Sequence, residues 1–278
     1  MNQTKVKKYL NIIILSTLFS IGFEAINIFN SPSDLALSGA GVASKDLIYN
    51  SPAIPKVSNS TISFSTNRWV QNFTGNSFAF SSGQYRFRFN SIGVEDINVY
   101  DDIPSDSPLD VISSHYLAFG LSKSYALGSY TLGVGSNFQY TQLFTDNKYA
   151  VSFDLGLKKH ISDKLRAGIL IENLSSNNID LPLNSSLGLS IYNKKIKTEI
   201  LFDYNYSSVH DNGLHLGVIN KNKYLTLNFG YSLYESRTTL SSGVDFIIKE
   251  KYKFIYSILS LESSNLGLSH YFGLEISI

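Results

Sequence analysis

From Thr61 to its last residue the chain keeps one habit: apolar or aromatic residues alternate with small or polar ones over about ten positions, a turn intervenes, and the pattern resumes. Successive side chains on extended backbone point to opposite faces, so a sustained period of 2 demands strands and rejects helices. Between Gly128 and Thr141, Tyr130, Leu132, Val134, Phe138 and Tyr140 share one face, and Thr131, Gly133, Gly135, Asn137, Gln139 and Thr141 share the other. The next run sets Tyr149, Val151, Phe153, Leu155 and Leu157 against Ala150, Ser152, Asp154, Gly156 and Lys158. Tyr85, Phe87 and Phe89 likewise oppose Arg86, Arg88 and Asn90, and Ile196, Ile200, Phe202, Tyr204 and Tyr206 oppose Lys197, Glu199, Asp203 and Asn205.

The pattern predicts strands near 61–66, 76–82, 84–94, 114–123, 128–142, 148–159, 164–173, 184–193, 195–206, 211–220, 223–234, 238–248, 251–262 and 266–278. That is about 14, an even number as single-chain bacterial membrane barrels require. Many runs exceed the ~5–6 residues usual in soluble sheets and match the ~9–11 of a tilted strand that crosses a bilayer. The expected fold is therefore all-β: a transmembrane antiparallel β-barrel. A secreted β-sandwich shows the same alternation and stays open as an alternative.

Connection lengths point the same way, because such barrels alternate short inner turns with longer outer loops. If the first strand runs outward, outer loops fall near 67–75, 95–113, 143–147 and 174–183, and inner turns near 82, 124–127, 160–163, 193 and 221 are shorter. Charge sorts with the alternation: Lys158, Lys159, Lys194, Lys195, Lys221, Lys223, Lys249, Lys251 and Lys253 sit by inner turns, whereas Glu95, Asp96, Asp101, Asp102, Asp106, Asp110, Asp146, Asp180 and Asp211 sit by outer loops. The sequence alone assigns no cause to this sorting.

With 18 Tyr and 18 Phe against one Trp, the chain carries the amphipathic rings that belt a barrel at membrane interfaces. Charged residues are 16% and the net charge is +1, which argues against a nucleic-acid binder and against a charged disordered chain. The absence of cysteine removes disulfides, thiol catalysis, zinc-thiolate sites and an acylated lipoprotein anchor. Lys5, Lys7 and Lys8 followed by the apolar run Leu10–Phe23 read as a secretory signal, with cleavage after Gly22 or Ala25. That run is shorter than the ~20 residues of a membrane-spanning helix. Residues 1–25 are then signal peptide, 26–58 an N-terminal segment and 59–278 the barrel, giving a bacterial outer-membrane location.

Within that N-terminal segment, Leu35-Ala36-Leu37-Ser38-Gly39-Ala40-Gly41-Val42-Ala43 followed by Asn50-Ser51-Pro52-Ala53 resembles the corresponding segment of the PorV/PorQ family and, more distantly, of FadL-type barrels. Those read approximately Leu-Gly-x-Gly-Gly-Ala-x-Val-Ala, then Asn-Pro-Ala. Here Ser51 interrupts the second motif, and Ile54-Pro55 replaces the usual Gly-Leu. Tyr100-Asp101-Asp102-Ile103-Pro104, Phe153-Asp154-Leu155-Gly156-Leu157 and Ile171-Glu172-Asn173-Leu174 agree with the resemblance, and Gly273 followed by Ile276 and Ile278 resembles the C-terminal signal by which barrel-assembly machinery recognises its clients. It implies a segment folded into the lumen as a plug, with Gly39, Gly41, Asn50, Pro52 and Ala53 as its motif. It also implies a non-enzymatic accessory or cargo-binding component of type IX protein secretion; the FadL side implies instead a transporter of hydrophobic small molecules. The expected partners are outer-membrane lipid and secreted cargo or secretion machinery, with no nucleic acid and no cofactor.

A plug fits the size of such a barrel, which encloses more space than its own side chains fill. Gly39 and Gly41 would pass close to the wall or take positive φ, and Pro52 and Pro55 would stiffen a non-helical path. A nucleotide-binding glycine loop is disfavoured, since no strand precedes Gly39. Arg86, Arg88, Lys164, Arg166, Glu172 and Asp203 are candidate lumen-facing charges. Asp101, Asp102 and Asp106 are candidate outer-loop binding residues without the ligand spacing of an EF-hand. The five histidines, His115, His160, His210, His215 and His270, form no credible metal set, and no Ser-His pair stands out for catalysis.

Overall fold

The computed structural model describes residues 31–45, 51–53, 59–68, 73–99, 108, 110–143, 146–175, 181–261 and 268–278. Fourteen strands follow a short helix, α1 (Pro32–Ala36): β1 (Thr61–Arg68), β2 (Thr74–Ser82), β3 (Tyr85–Val99), β4 (Asp110–Leu127), β5 (Tyr130–Leu143), β6 (Asp146–His160), β7 (Leu165–Leu174), β8 (Asn184–Asn193), β9 (Thr198–Ser207), β10 (Gly213–Lys221), β11 (Leu225–Tyr234), β12 (Thr238–Ile248), β13 (Tyr252–Leu261) and β14 (Leu268–Ser277). Every strand pairs antiparallel with its neighbours in sequence, and β1 closes on β14 from Thr61 opposite Ser277 to Arg68 opposite His270. Closure leaves no strand edge to be satisfied by water, which is the condition for crossing lipid with strands. A ten-residue strand rises roughly 33 Å and, tilted by ~45°, covers ~23 Å, close to the ~25 Å apolar band of an outer-membrane barrel.

The faces are inverted relative to a water-soluble protein. Outward positions carry Phe64, Val151, Leu187, Leu240 and Phe272, each at least half exposed, while inward positions bury Arg86 at 1% and Asp203 at 2% relative exposure. A sandwich would place its apolar faces against each other. Here they form the outer surface, so the sandwich alternative falls.

Strand boundaries depart most from the sequence reading at β3 and β4: β4 runs on to Leu127, so the expected inner turn 124–127 is strand and the turn falls at Gly128 and Ser129. The expected loop 95–113 is narrower, because β3 continues to Val99 and β4 begins at Asp110. A register shift between Val94 and Ile97 breaks the period there, and the charged Glu95-Asp96 pair then imitates a loop. Similarly, β5 and β6 reach to Leu143 and Asp146, so the expected loop 143–147 shrinks to 144–145. A second irregularity lies between Phe153 and Leu155 of β6, opposite an extra residue in β7, where Asn173 takes φ 62°. Turns at the end carrying both the start of β1 and the C-terminus are tight, with Gly83 at φ 59° and Gly128 at φ 61° as two-residue hairpins demand.

Candidate functional site

The lumen is filled from two sources. One is residues 31–45 and 51–53, which run around the inside of the wall and meet its strands in reverse chain order. Pro32 lies by Gly273 of β14 and accepts from Ser257 Oγ of β13 at 2.7 Å. Ala36 faces Gly243, Leu37 and Ser38 face Gly230, Ala40 faces Gly217, Val42 faces Gly188 and Gly168, and Ala53 faces Gly156 and Gly133. Added Cβ atoms would stand 2.6 Å from Ala36 Cβ at Gly243 and 2.7 Å from the Val42 carbonyl at Gly168; at Gly230 and Gly133 they would collide with backbone. The inner segment therefore lies in a channel that wall glycines leave open.

Local chemistry explains the path of this segment. Ser31 caps α1 by accepting from the Asp34 N–H at 3.1 Å, and Pro32 occupies the first turn, where a missing N–H costs nothing. The Ser-Pro-Ser-Asp start nucleates one helical turn, while residues 51–53 around Pro52 are non-helical as expected. After it, Ser38 (φ 49°), Gly39 (φ 81°) and Gly41 (φ 150°) turn the chain along the wall. Its apolar residues find the few apolar positions on the inward face: Leu37 and Ala40 pack with Leu201 and Ile219, and Leu35 packs with Leu259 and Tyr271.

Polar anchors fix the remainder. Asp203 Oδ2 accepts the backbone N–H groups of Gly41 and Val42 at 2.5 and 2.8 Å. The Ser38 carbonyl accepts from Ser232 Oγ at 2.7 Å and from His215 Nδ1 at 2.6 Å. A carbonyl has no proton to give, so Nδ1 carries the imidazole hydrogen. Lys158 Nζ donates to the Ser44 carbonyl at 3.2 Å, and Glu199 accepts the Lys45 N–H at 2.9 Å while pairing with Arg166 at 3.7 Å.

The second filling is a side-chain network on β3 to β7. Arg88 Nη2 donates to Asn137 Oδ1 at 3.0 Å and lies 3.5 Å from Asp154, which also accepts from Asn137 Nδ2 at 2.7 Å and from the Asn173 N–H at 3.0 Å. The bulge in β7 thus exists to aim that N–H at a buried carboxylate. Tyr116, Gln139 and Ser152 extend the network, and Asn173 Nδ2 ties it to the Pro182 carbonyl at 3.0 Å. Beside Pro32 a cavity of about 20 Å³, lined by Ser65, Ser77, Ala79, Arg88 and Gly273 among others, has room for roughly one water.

Among the sequence candidates, Arg86, Arg88, Arg166 and Asp203 lie on the inward face, Arg88 in the network and Arg166 and Asp203 beside the inner segment. Gly39, Gly41, Pro52 and Ala53 lie within the lumen. Asn50, Pro55 and the outer-loop residues Asp101, Asp102 and Asp106 lie outside the described residues, as does the signal segment 1–25. Lys164 is corrected: it is exposed in the turn after β6 rather than inside. No group of three metal-binding side chains occurs among the described residues. The wall glycines and the anchors His215, Ser232, Lys158 and Glu199 were not singled out from sequence as holding the segment, although they share the inward phase of their strands with Asp203 or its counterparts.

No family model and no curated protein matches the chain. Solved structures do. The CymD monoaromatic hydrocarbon channel matches with TM-score 0.62 at 12% identity, over 89% of this chain and 97% of that one. The toluene transporter TbuX of Ralstonia pickettii matches with TM-score 0.61 at 13% identity, over 91% and 98%. A FadL homologue of Pseudomonas aeruginosa matches with TM-score 0.56 at 10% identity, over 89% and 98%. One of these names, the FadL homologue, belongs to the FadL side of the sequence resemblance, and none of the three names PorV or PorQ. The fold is a closed 14-stranded antiparallel barrel like those of FadL-type outer-membrane proteins.

Proposed function

We propose that this chain resides in the bacterial outer membrane, exported by residues 1–25, and conducts hydrophobic small molecules across it, with residues 26–58 as a plug. The observation that carries the reading is the wall, which matches those of CymD and TbuX over about nine-tenths of this chain and nearly all of theirs, together with the N-terminal stretch lodged inside it in this chain. The role is non-catalytic, in keeping with matching proteins named as channels and transporters. The plug is held by side chains and small contacts rather than by strand pairing, so moving it leaves the wall intact. The test is uptake of radiolabelled toluene and oleate by cells expressing the full chain. Accumulation above a vector control, for either compound, is the expected result; equal uptake of both compounds to the control overturns transport.

A second reading follows the PorV/PorQ resemblance: a type IX secretion accessory that binds secreted cargo by its outer loops. The polar inward face favours it, and the cavity of about 20 Å³ beside Pro32 is too small for a hydrocarbon ligand without rearrangement. Recovery of secreted proteins or surface-attachment components with the tagged barrel, from its native membrane, decides for this reading against transport.

A further inference from the structure

The basic turns noted in the sequence converge in space. All of them lie at the end of the barrel that carries the start of β1 and the C-terminus. There, Lys159 and Lys164 flank the β6–β7 turn, and Lys194, Lys195 and Lys197 the β8–β9 turn, all exposed. Lys223, Lys249 and Lys251 are exposed on the next two turns. Against these stand two exposed carboxylates at that end, Asp163 and Glu250, the former 3.1 Å from Lys194. The opposite end has no such excess among the described residues: Arg68, Lys148 and Arg237 face Glu95, Asp146, Asp211 and Glu235.

The lysines are arranged on aromatic rings. Lys123 Nζ lies 5.1 Å from the Tyr85 ring centre and 4.9 Å from that of Tyr125; Lys159 lies 5.2 Å from Tyr130, Lys223 5.1 Å from Tyr224 and Lys251 5.6 Å from Tyr252. All five tyrosines are exposed on the outer surface. An ammonium over a ring whose hydroxyl is wet sits at the depth where lipid phosphates lie.

One place adds room for a lipid tail. Tyr224, just before β11, with Phe246, Ile247 and Ile248 of β12, Lys249 of the turn and Phe254 of β13, lines a shallow, open apolar groove of about 600 Å³ on the outer wall. Lys249 stands at its turn end with φ 53°, followed by Glu250 at φ 54°. Such a turn takes Asn-Gly at least cost, so a long cation is held there against backbone preference.

We propose that this end of the barrel is a collar for anionic phospholipid, with a discrete site in the β11–β13 groove. An acyl chain lies along Phe246, Ile248 and Phe254, and the headgroup phosphate is held by Lys249, Lys223 and Lys251. The inference rests on the barrel spanning a membrane, but not on what it transports. It also supplies a cause for the charge sorting: an anionic lipid surface attracts lysine at the level of its phosphates.

Native mass spectrometry of the folded, detergent-solubilised protein tests this, with dioleoyl phosphatidylglycerol and dioleoyl phosphatidylcholine as the probes. Preferential retention of phosphatidylglycerol is expected. Lys249→Gly relieves the turn, so it folds, and together with Lys251→Gln it lowers the preference by about fivefold per lysine. Lys148→Gln, at the far end, leaves it unchanged. Equal retention of both lipids, or an equal loss in Lys148→Gln, overturns the site. Insertion into pure phosphatidylcholine vesicles, read by heat-modified gel migration, checks the premise separately: a chain that stays in buffer removes premise and site together. A chain that inserts and selects phosphatidylglycerol yet carries no toluene or oleate loses the transport reading alone.

Discussion

At Gly41 and Val42 the inner segment has neither helix nor sheet to accept its N–H groups, and Asp203 takes both. A carboxylate buried to this degree is tolerable only when such donors replace water, and hydrogen bonds to charged groups contribute roughly 1.5–3 kcal/mol each. Asp203→Asn keeps the shape and removes the charge, so the segment's docking weakens by about 1–3 kcal/mol. Trypsin cleavage after Lys45 in the folded barrel measures this: faster clipping is expected, and an unchanged rate would move the anchor to His215 and Ser232. The alternation placed Asp203 opposite Phe202 and Tyr204 in plain view. That its partners are backbone groups some 160 positions earlier was not visible, because no residue type advertises a waiting N–H.

Strands show the same division between what is written locally and what is not. β8 and β12 were legible to the residue, since apolar and polar residues alternate along both and a break in the pattern bounds each end. The ends of β3 and β4 were not, because a bulge shifts the phase just where acidic residues cluster. The helix α1 escaped although Ser31, Pro32 and Asp34 form its start signal, since one turn carries too little periodicity to register. The wall glycines were read as small members of a polar face, and only the seated segment reveals them as a channel. Two inward glycines, one on β11 under the segment and one on β5 clear of it, separate these roles. Gly230→Ala drives a methyl into the Leu37 and Ser38 backbone and lowers stability by about 1–3 kcal/mol, whereas Gly135→Ala meets its nearest atoms at 3.5 Å and costs well under that. Midpoints of urea unfolding in lipid vesicles compare the two; equal shifts would show that the glycines serve the strand and not the segment.

Taken as a whole, the molecule is apolar outside and polar within, and that inversion makes a prediction opposite to the rule for soluble proteins. Leu189 lies mid-strand in β8 on the outer face, 46% exposed. In water an arginine there would change stability within about 0.5 kcal/mol, but at a bilayer midplane it costs roughly 2–4 kcal/mol. Leu189→Arg should therefore lower the folded fraction in vesicles steeply, as read on unboiled gels, and neutrality would remove the barrel from the membrane. The reverse winding of residues 31–45 has a consequence for how the object is made. Pro32 rests on Ser257 and Gly273, and Ala36 on Gly243, surfaces supplied by strands some 200 positions further along the chain. The berth for residues 31–45 is unfinished until β14 has zipped onto β1, so a barrel arrested before its final seam would present that stretch undocked.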